Sequence, residues 1–115
     1  MRTVEKKWLI ASLWLAGLSG ALLQPALAGD KAAGGVKVQL VCGNCHGVDG
    51  IALIPGAANL SGQQKEYLLM QLRAFRSGSR QEAQMNVVAK TLTDADIENL
   101  AEWYSAIKVT VETPK

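Results

Sequence analysis

Cys42-Gly43-Asn44-Cys45-His46 is the stretch on which the reading of this chain turns. The two cysteines stand three residues apart, and the histidine follows the second directly. Residues three and four apart share one face of a helical turn. Two thiols so placed can reach the two vinyl groups of a single porphyrin, and the imidazole on the same turn can rise under its iron. Small Gly43 lets the backbone come close to the ring plane. Cys-x-x-Cys-His is the attachment signature of a covalent c-type haem.

Three other chemistries use parts of this pattern. A thioredoxin-like redox pair also carries Cys-x-x-Cys, but it follows a strand in a mixed sheet, and no βαβ pattern is visible here. Structural zinc needs four side-chain ligands, and the chain offers two cysteines and one histidine. A simple local disulfide between Cys42 and Cys45 would close a tiny loop and constrain little. Haem attachment is the expectation, with one haem c bound through Cys42 and Cys45.

His46 is the only histidine in the chain, so it is the expected proximal ligand and bis-histidine ligation is excluded. A thioether on the other side is the usual electron-transfer arrangement and raises the reduction potential. Met70 and Met85 are the methionines beyond Met1. Met70 falls inside an expected helix. Met85 falls in a loop region before the last helix and is the preferred ligand, because loops over a rigid scaffold more often carry ligands.

Outward from the motif, the pattern is helical. Asp30 is a possible helix start, and Val36 to Val41 reads as the end of a first helix running into Cys42, although its valines would also suit a strand. Gly47 to Leu60 contains Gly47, Gly50, Pro55 and Gly56 and reads as a loop. Ser61-Gly62-Gln63-Gln64 fits a capping box, with a helix from Gln63 to about Arg76. Leu68, Leu72 and Phe75 recur at helical spacing along it, and Gly78 suits a left-handed stop. Ser79 to Gln84 is polar loop, and Met85 to Lys90 reads as a short turn of helix. Thr93-Asp94-Ala95-Asp96 resembles a second box, opening a helix to about Lys108 with Ile97, Leu100, Ala101, Tyr104 and Ile107 as its apolar stripe. Val109 to Lys115 should fray. The fold class is all-α, with three main helices and long loops.

The N-terminal segment has a different character. Arg2, Lys6 and Lys7 precede an apolar run from Trp8 to Leu23, and Ala26-Leu27-Ala28 follows. That order is a secretory signal pattern. The competing reading is a retained anchor, but a run of 16 residues falls short of the roughly 20 needed to span a bilayer. Residues 1–28 are therefore expected to be a cleaved signal peptide, and 29–115 a single domain exported to the periplasm with no membrane span after cleavage. Cleavage lowers Lys plus Arg from 12 to 9 and Asp plus Glu from 10 to 9. A domain near neutrality gives no argument for nucleic acid or anionic lipid. It also has a thin core, and a haem would supply what the side chains lack.

From Cys42 onward the sequence resembles the class I c-type cytochromes, closest to the small bacterial cytochrome c-553 group and to single halves of its dihaem relatives. The resemblance rests on Cys42 to Gly50, on Asn59-Leu60-Ser61-Gly62-Gln63 with Tyr67-Leu68 and Gln71-Leu72, and on Phe75-Arg76-Ser77-Gly78. It continues through Met85 to Leu92-Thr93-Asp94-Ala95-Asp96-Ile97 and Trp103-Tyr104. It implies a class I cytochrome c fold around one haem, with crossing first and last helices, small residues near Gly34 and Gly35 meeting Trp103 or Tyr104. It also implies His46 and Met85 as axial ligands. The group usually has Pro where this chain has Ala58; the carbonyl of Pro55 or Ala58 would then accept from the ligand histidine.

The function implied is a periplasmic electron carrier, not an enzyme, docking transiently on redox partner proteins. Alternatives are a haem subunit of a larger periplasmic dehydrogenase, a sensor with an open iron site, and a thiol–disulfide oxidoreductase using Cys42 and Cys45. Val41, Pro55, Leu60, Leu68, Leu72, Val88, Leu92, Ile97 and Leu100 are candidate pocket walls. Lys65, Arg73, Arg76 and Arg80 would either steer an acidic partner or form an ordinary solvated face, and the second is preferred.

Overall fold

The computed structural model describes residues 28–115. Apart from Ala28, the expected signal peptide lies outside the described residues. The described residues form helices with no strand: α1 (Lys31–Lys37), a π-helical continuation (Val38–Cys42), α2 (Gly43–His46), α3 (Lys65–Ser77), α4 (Ala83–Lys90) and α5 (Asp94–Ser105). The all-α expectation holds, and Val36 to Val41 is helical rather than extended.

Helix α1 starts where the Asp30 carboxylate accepts from the backbone N–H groups of Ala32 and Ala33. Such a cap satisfies donors that have no partner inside the helix. The chain then runs without a break from α1 to His46. Just before the motif the helix widens, and the Gly43 N–H donates to the Val38 carbonyl five residues back. Single π turns of this kind often sit beside functional residues.

α1 crosses α5 closely. Gly34 is buried against the backbone of Asn99 and the Cβ of Trp103, and Gly35 against the Trp103 ring. The aromatic expected at this crossing is Trp103. Val38, Leu68, Leu92, Ile97, Leu100, Ala101 and Tyr104 form the buried core, with Cys42, Leu60, Leu69, Leu72, Trp103 and Ile107 packed against it. The expected stripe of α5 is therefore the core's centre. α5 ends at Ser105, three residues before Lys108, and residues 108–115 are exposed without regular structure.

Two elements differ from their expected form. No capping box opens α3. Its N-cap is Gln64, without a side-chain cap, and the helix begins at Lys65. Gly62 has a positive φ of 64°, and the Ser61 hydroxyl donates to the Asp49 carbonyl. The tertiary turn at 49–50 has taken the hydroxyl that a box would use. Met85 is also not in a loop: it lies in the first turn of α4, a two-turn helix whose start is capped by Glu82. Gly78 is the left-handed stop of α3, with φ 83°.

Candidate haem-attachment site

Cys42 ends the π turn, and Cys45 and His46 close α2, so one continuous helical stretch carries all three. Both thiols are free and half-buried. A local disulfide between them is not formed. Burial pushes the Cys42 thiol up to about 11, with Lys37 opposing and Cys45 adding to the rise. Exchange enzymes work through a thiolate stabilised near neutral pH, and Cys42 has the opposite environment. Among the described residues, no group of three His, Cys, Asp or Glu side chains is gathered as a metal cage.

The imidazole is fixed from behind. His46 Nδ1 lies 2.7 Å from the Ala58 carbonyl oxygen. A carbonyl only accepts, so Nδ1 must carry the proton and donate. The lone pair is then on Nε2, the nitrogen free to coordinate a metal. Of the two acceptors left open by the sequence, Ala58 is the one used, and Pro55 is not.

That carbonyl is held by the loop from Gly47 to Gln64. The Leu53 N–H donates to the Cys45 carbonyl (2.8 Å), and Leu60 N–H donates to the Gly50 carbonyl (2.7 Å). The Asn59 side chain accepts from Ala52 N–H (2.8 Å). From α5, the Trp103 indole donates to the Val48 carbonyl (2.9 Å), and the Tyr104 hydroxyl donates to the Gly47 carbonyl (3.0 Å). Two side chains of the last helix thus grip the two residues that follow His46. Burial pushes the Tyr104 phenol far above its ordinary range, so it stays a donor. No motif in the sequence marks these acceptors, because they are backbone carbonyls.

Several apolar residues that flank the motif in the chain are exposed. Leu40 is 74% exposed and Leu53 66%, with Val48, Ile51 and Ile54 also exposed. Leu53 is tied to Cys45 by the bond above. Exposed apolar residues flanking, in the chain, a turn with two free thiols and a fixed imidazole suit a flat hydrophobic group with vinyl edges, so the residues present fit a haem. Of the candidate walls, Leu68, Leu92, Ile97 and Leu100 are buried, Leu60 and Leu72 line the core, Val41 and Val88 are half-buried, and Pro55 is exposed.

Met85 is half-buried at the start of α4, which packs on α3. Met70 is 57% exposed and lines a surface groove with Arg73, Ala74, Arg76, Ser77 and Ser79. None of the Cys-x-x-Cys-His residues borders that groove. The basic residues are internally paired: Lys65 with Glu102 (2.9 Å), Arg73 with Glu98 (2.7 Å) and Arg76 with Asp94. Arg80 stacks over Phe75, 4.5 Å from the ring centre. The preferred reading of these four as an ordinary face, not a steering patch, fits this pairing.

No family model matches the chain. Cytochrome c-554(548) of Halomonas halodenitrificans is 43% identical over 82 residues, covering 69% of this chain and 98% of the relative. Cytochrome c4 of Pseudomonas aeruginosa is 37% identical over 103 residues, covering 90% of this chain and 48% of the relative. The crystal structure of reduced recombinant cytochrome c4 from Pseudomonas stutzeri superimposes with a TM-score of 0.65 at 39% identity, over 73% of this chain and 48% of that one. The chain spans about half the length of the cytochromes c4 that it matches. A relative matched over nearly its whole length, the shared helical architecture and the Cys-x-x-Cys-His turn agree, and the chain belongs to the class I c-type cytochromes.

Proposed function

We propose that this domain is a single-electron carrier of the periplasm, with one haem c attached through Cys42 and Cys45 and ligated by His46 and Met85. The observation that carries the reading is the 2.7 Å contact from His46 Nδ1 to the Ala58 carbonyl. It presents Nε2 as a ligand on the same turn as two free thiols. When bound, haem iron supplies a one-electron ferric–ferrous couple.

The chain's own residues do the rest. Cys42 and Cys45 anchor the group covalently. The Ala58 carbonyl holds the imidazole plane and raises its basicity. Leu68, Leu92 and the neighbouring core keep water out, and a dry pocket is one lever on the reduction potential. Met85 supplies the thioether. Its half-buried place at the start of α4 favours it over exposed Met70, which shares its groove with Arg73 and Arg76. The exposed apolar rim at Leu40, Leu53 and Ile54 suits brief docking on redox partners, which use small, exchangeable patches. No helix among the described residues is long and apolar enough to cross a membrane.

The test is spectroscopic. The full chain is expressed with its leader in a bacterium that attaches haem c. The purified protein should give a pyridine haemochrome with two thioether links and no reactive thiol. The ferric form should show the weak red-edge charge-transfer band of sulfur ligation, abolished by Met85→Ala and kept by Met70→Ala. A colourless protein with both thiols free would overturn the attachment. Carbon monoxide binding to the reduced wild type at neutral pH would overturn the Met85 assignment.

A further inference from the structure

Asn86, the residue after Met85, makes three hydrogen bonds to three separate pieces of chain. Its Nδ2 donates to the Phe75 carbonyl in the last turn of α3 (2.7 Å). The same nitrogen donates to the Arg80 carbonyl in the connection (2.8 Å). Its Oδ1 accepts from the Glu82 N–H at the N-cap of α4 (2.7 Å). Both donors of the amide and one acceptor site are therefore engaged. Glu82 answers from the other side: its carboxylate accepts from the Met85 N–H (2.7 Å).

The two side chains bracket Met85. Glu82 holds the methionine's own N–H, and Asn86 fixes the next residue to the end of α3. Elsewhere in the connection, Arg80 reaches back to α3, its N–H to the Ala74 carbonyl (3.1 Å) and its guanidinium to the Gln71 side chain. Gln81 donates to the Gly78 carbonyl, and the Ser77 and Ser79 hydroxyls donate to the Ala74 carbonyl. Among these contacts, Asn86 alone joins the turn that carries Met85 to the C-terminal end of α3. Asparagine is a poor helix former at an interior position. Its presence as the fourth residue of a helix of eight makes sense through these tertiary bonds, not through helix propensity.

We propose that Asn86 is a positioning residue for Met85, holding the start of α4 against α3 so that the thioether stays where it can ligate. The proposal rests on the reading of Met85 as the axial ligand. A rigidly held ligand is displaced less readily than one on a turn free to swing, because the competent conformer is more populated. Loss of Asn86 should therefore weaken thioether ligation before it unfolds the domain.

The experiment compares holoproteins: wild type, Met85→Ala, Asn86→Ala, Asn86→Asp and Asn99→Ala. Asn86→Asp keeps the acceptor for Glu82 and loses both donors. Asn99→Ala loses a hydrogen bond to the Asp30 N–H at the start of α1 and serves as a control for general destabilisation. The ferric charge-transfer band is followed on raising the pH, and imidazole is titrated as a competing ligand. In both Asn86 variants the pH at which the band is half lost should fall by about one unit, and imidazole should bind roughly tenfold tighter, the size of one lost hydrogen bond network. Asn99→Ala should lower the unfolding midpoint and leave both readouts unchanged. Wild-type values in both Asn86 variants overturn the proposal, as does an equal shift in Asn99→Ala. A band that survives Met85→Ala overturns the ligand assignment itself and is read independently of Asn86.

Discussion

The Tyr104 hydroxyl donates across 57 residues of chain to the Gly47 carbonyl, 3.0 Å away. Tyr104 is buried in the middle of the core, and Gly47 directly follows the histidine of the Cys-x-x-Cys-His turn. The Tyr104 carbonyl also accepts from the Gly62 N–H (2.9 Å). One residue of α5 thus holds both ends of the loop whose Ala58 carbonyl orients His46. Neighbouring Trp103 adds the bond to Val48 and the packing on Gly35. The last helix is thereby a clamp on the attachment loop as well as a wall of the core.

Tyr104→Phe keeps the ring and removes only the donor. Gly47 is buried, so its carbonyl would lose a partner away from water. The carbonyl would keep the Gly50 N–H (3.2 Å), so the cost is that of one lost hydrogen bond, about 0.5–1.5 kcal/mol. Denaturant unfolding of the holoprotein should show that loss. The His46 Nδ1 proton should also exchange faster with solvent, by nuclear magnetic resonance, because the loop holding Ala58 is loosened at both ends. A variant as stable as wild type would remove Tyr104 from this role.

Tyr104 also sets a pH dependence. Burial raises its folded pKa above the ordinary tyrosine value of 10.0. A group that holds its proton more tightly when folded contributes stability that is complete below the unfolded pKa and is lost as pH rises toward the folded one. The wild-type holoprotein should therefore lose stability above about pH 10. Lys65, whose pKa is raised mainly by its hydrogen bond to Glu102, contributes in the same direction. The difference between wild type and Tyr104→Phe isolates the phenol: the variant's stability should fall less steeply over that range. Parallel alkaline slopes would show that the phenol ionises freely.

Much of this arrangement was legible in the sequence, and the exceptions share a cause. Asp30, Gly78 and Thr93 were readable because a cap acts on its own next few residues, and all three behave as local chemistry requires. Ser61 failed as a capping residue because a distant carbonyl, that of Asp49, had the stronger claim on its hydroxyl. Ala58 could not be told from Pro55 as the acceptor, since a backbone carbonyl leaves no side-chain signature. The full length of α4 was missed for a related reason: Glu82 caps it, while Asn86 ties it to the end of α3 through bonds that no periodicity encodes. The residues of the motif were plain, and the residues that position them were not.

The crossing of α1 on α5 gives a graded prediction. A Cβ built on Gly35 would meet the Trp103 ring at 2.5 Å, an obstacle that is a side chain and can shift. A Cβ on Gly34 would meet the backbone carbonyl of Asn99, which is fixed within α5. Overpacking of this kind costs about 1–3 kcal/mol and sometimes more. Gly34→Ala should therefore destabilise more than Gly35→Ala, at or beyond the top of that range. Gly35→Ala should in addition alter Trp103 fluorescence as the ring moves. Equal unfolding midpoints for the two variants would contradict the close approach at Gly34.

At the start of α5, Thr93 and Asp96 exchange hydrogen bonds. The Thr93 hydroxyl accepts from Asp96 N–H (3.1 Å), and the Asp96 carboxylate accepts from Thr93 N–H (2.9 Å). Lys37 of α1 adds an ion pair to Asp96 at 2.9 Å, so the box also ties the first helix to the last. Partial burial works to raise the Asp96 pKa, but the Thr93 hydrogen bonds and Lys37 outweigh it and hold the carboxyl below its ordinary 3.8. A lowered carboxyl contributes stability above its unfolded pKa, and that stability disappears as pH falls through the folded value. Asp94 and Glu102, lowered mainly by their hydrogen bonds to Arg76 and Lys65, add to the same acid limb. Thr93→Ala should cost about 1 kcal/mol at neutral pH, the usual loss for an N-cap. Asp96→Asn should also lower stability at pH 7, and its deficit should narrow below about pH 4, where the wild-type carboxylate itself takes up a proton. Thermal unfolding of the two holoproteins from pH 7 to pH 2.5 would show converging midpoints; a constant gap would mean that Asp96 acts through packing and not through its charge.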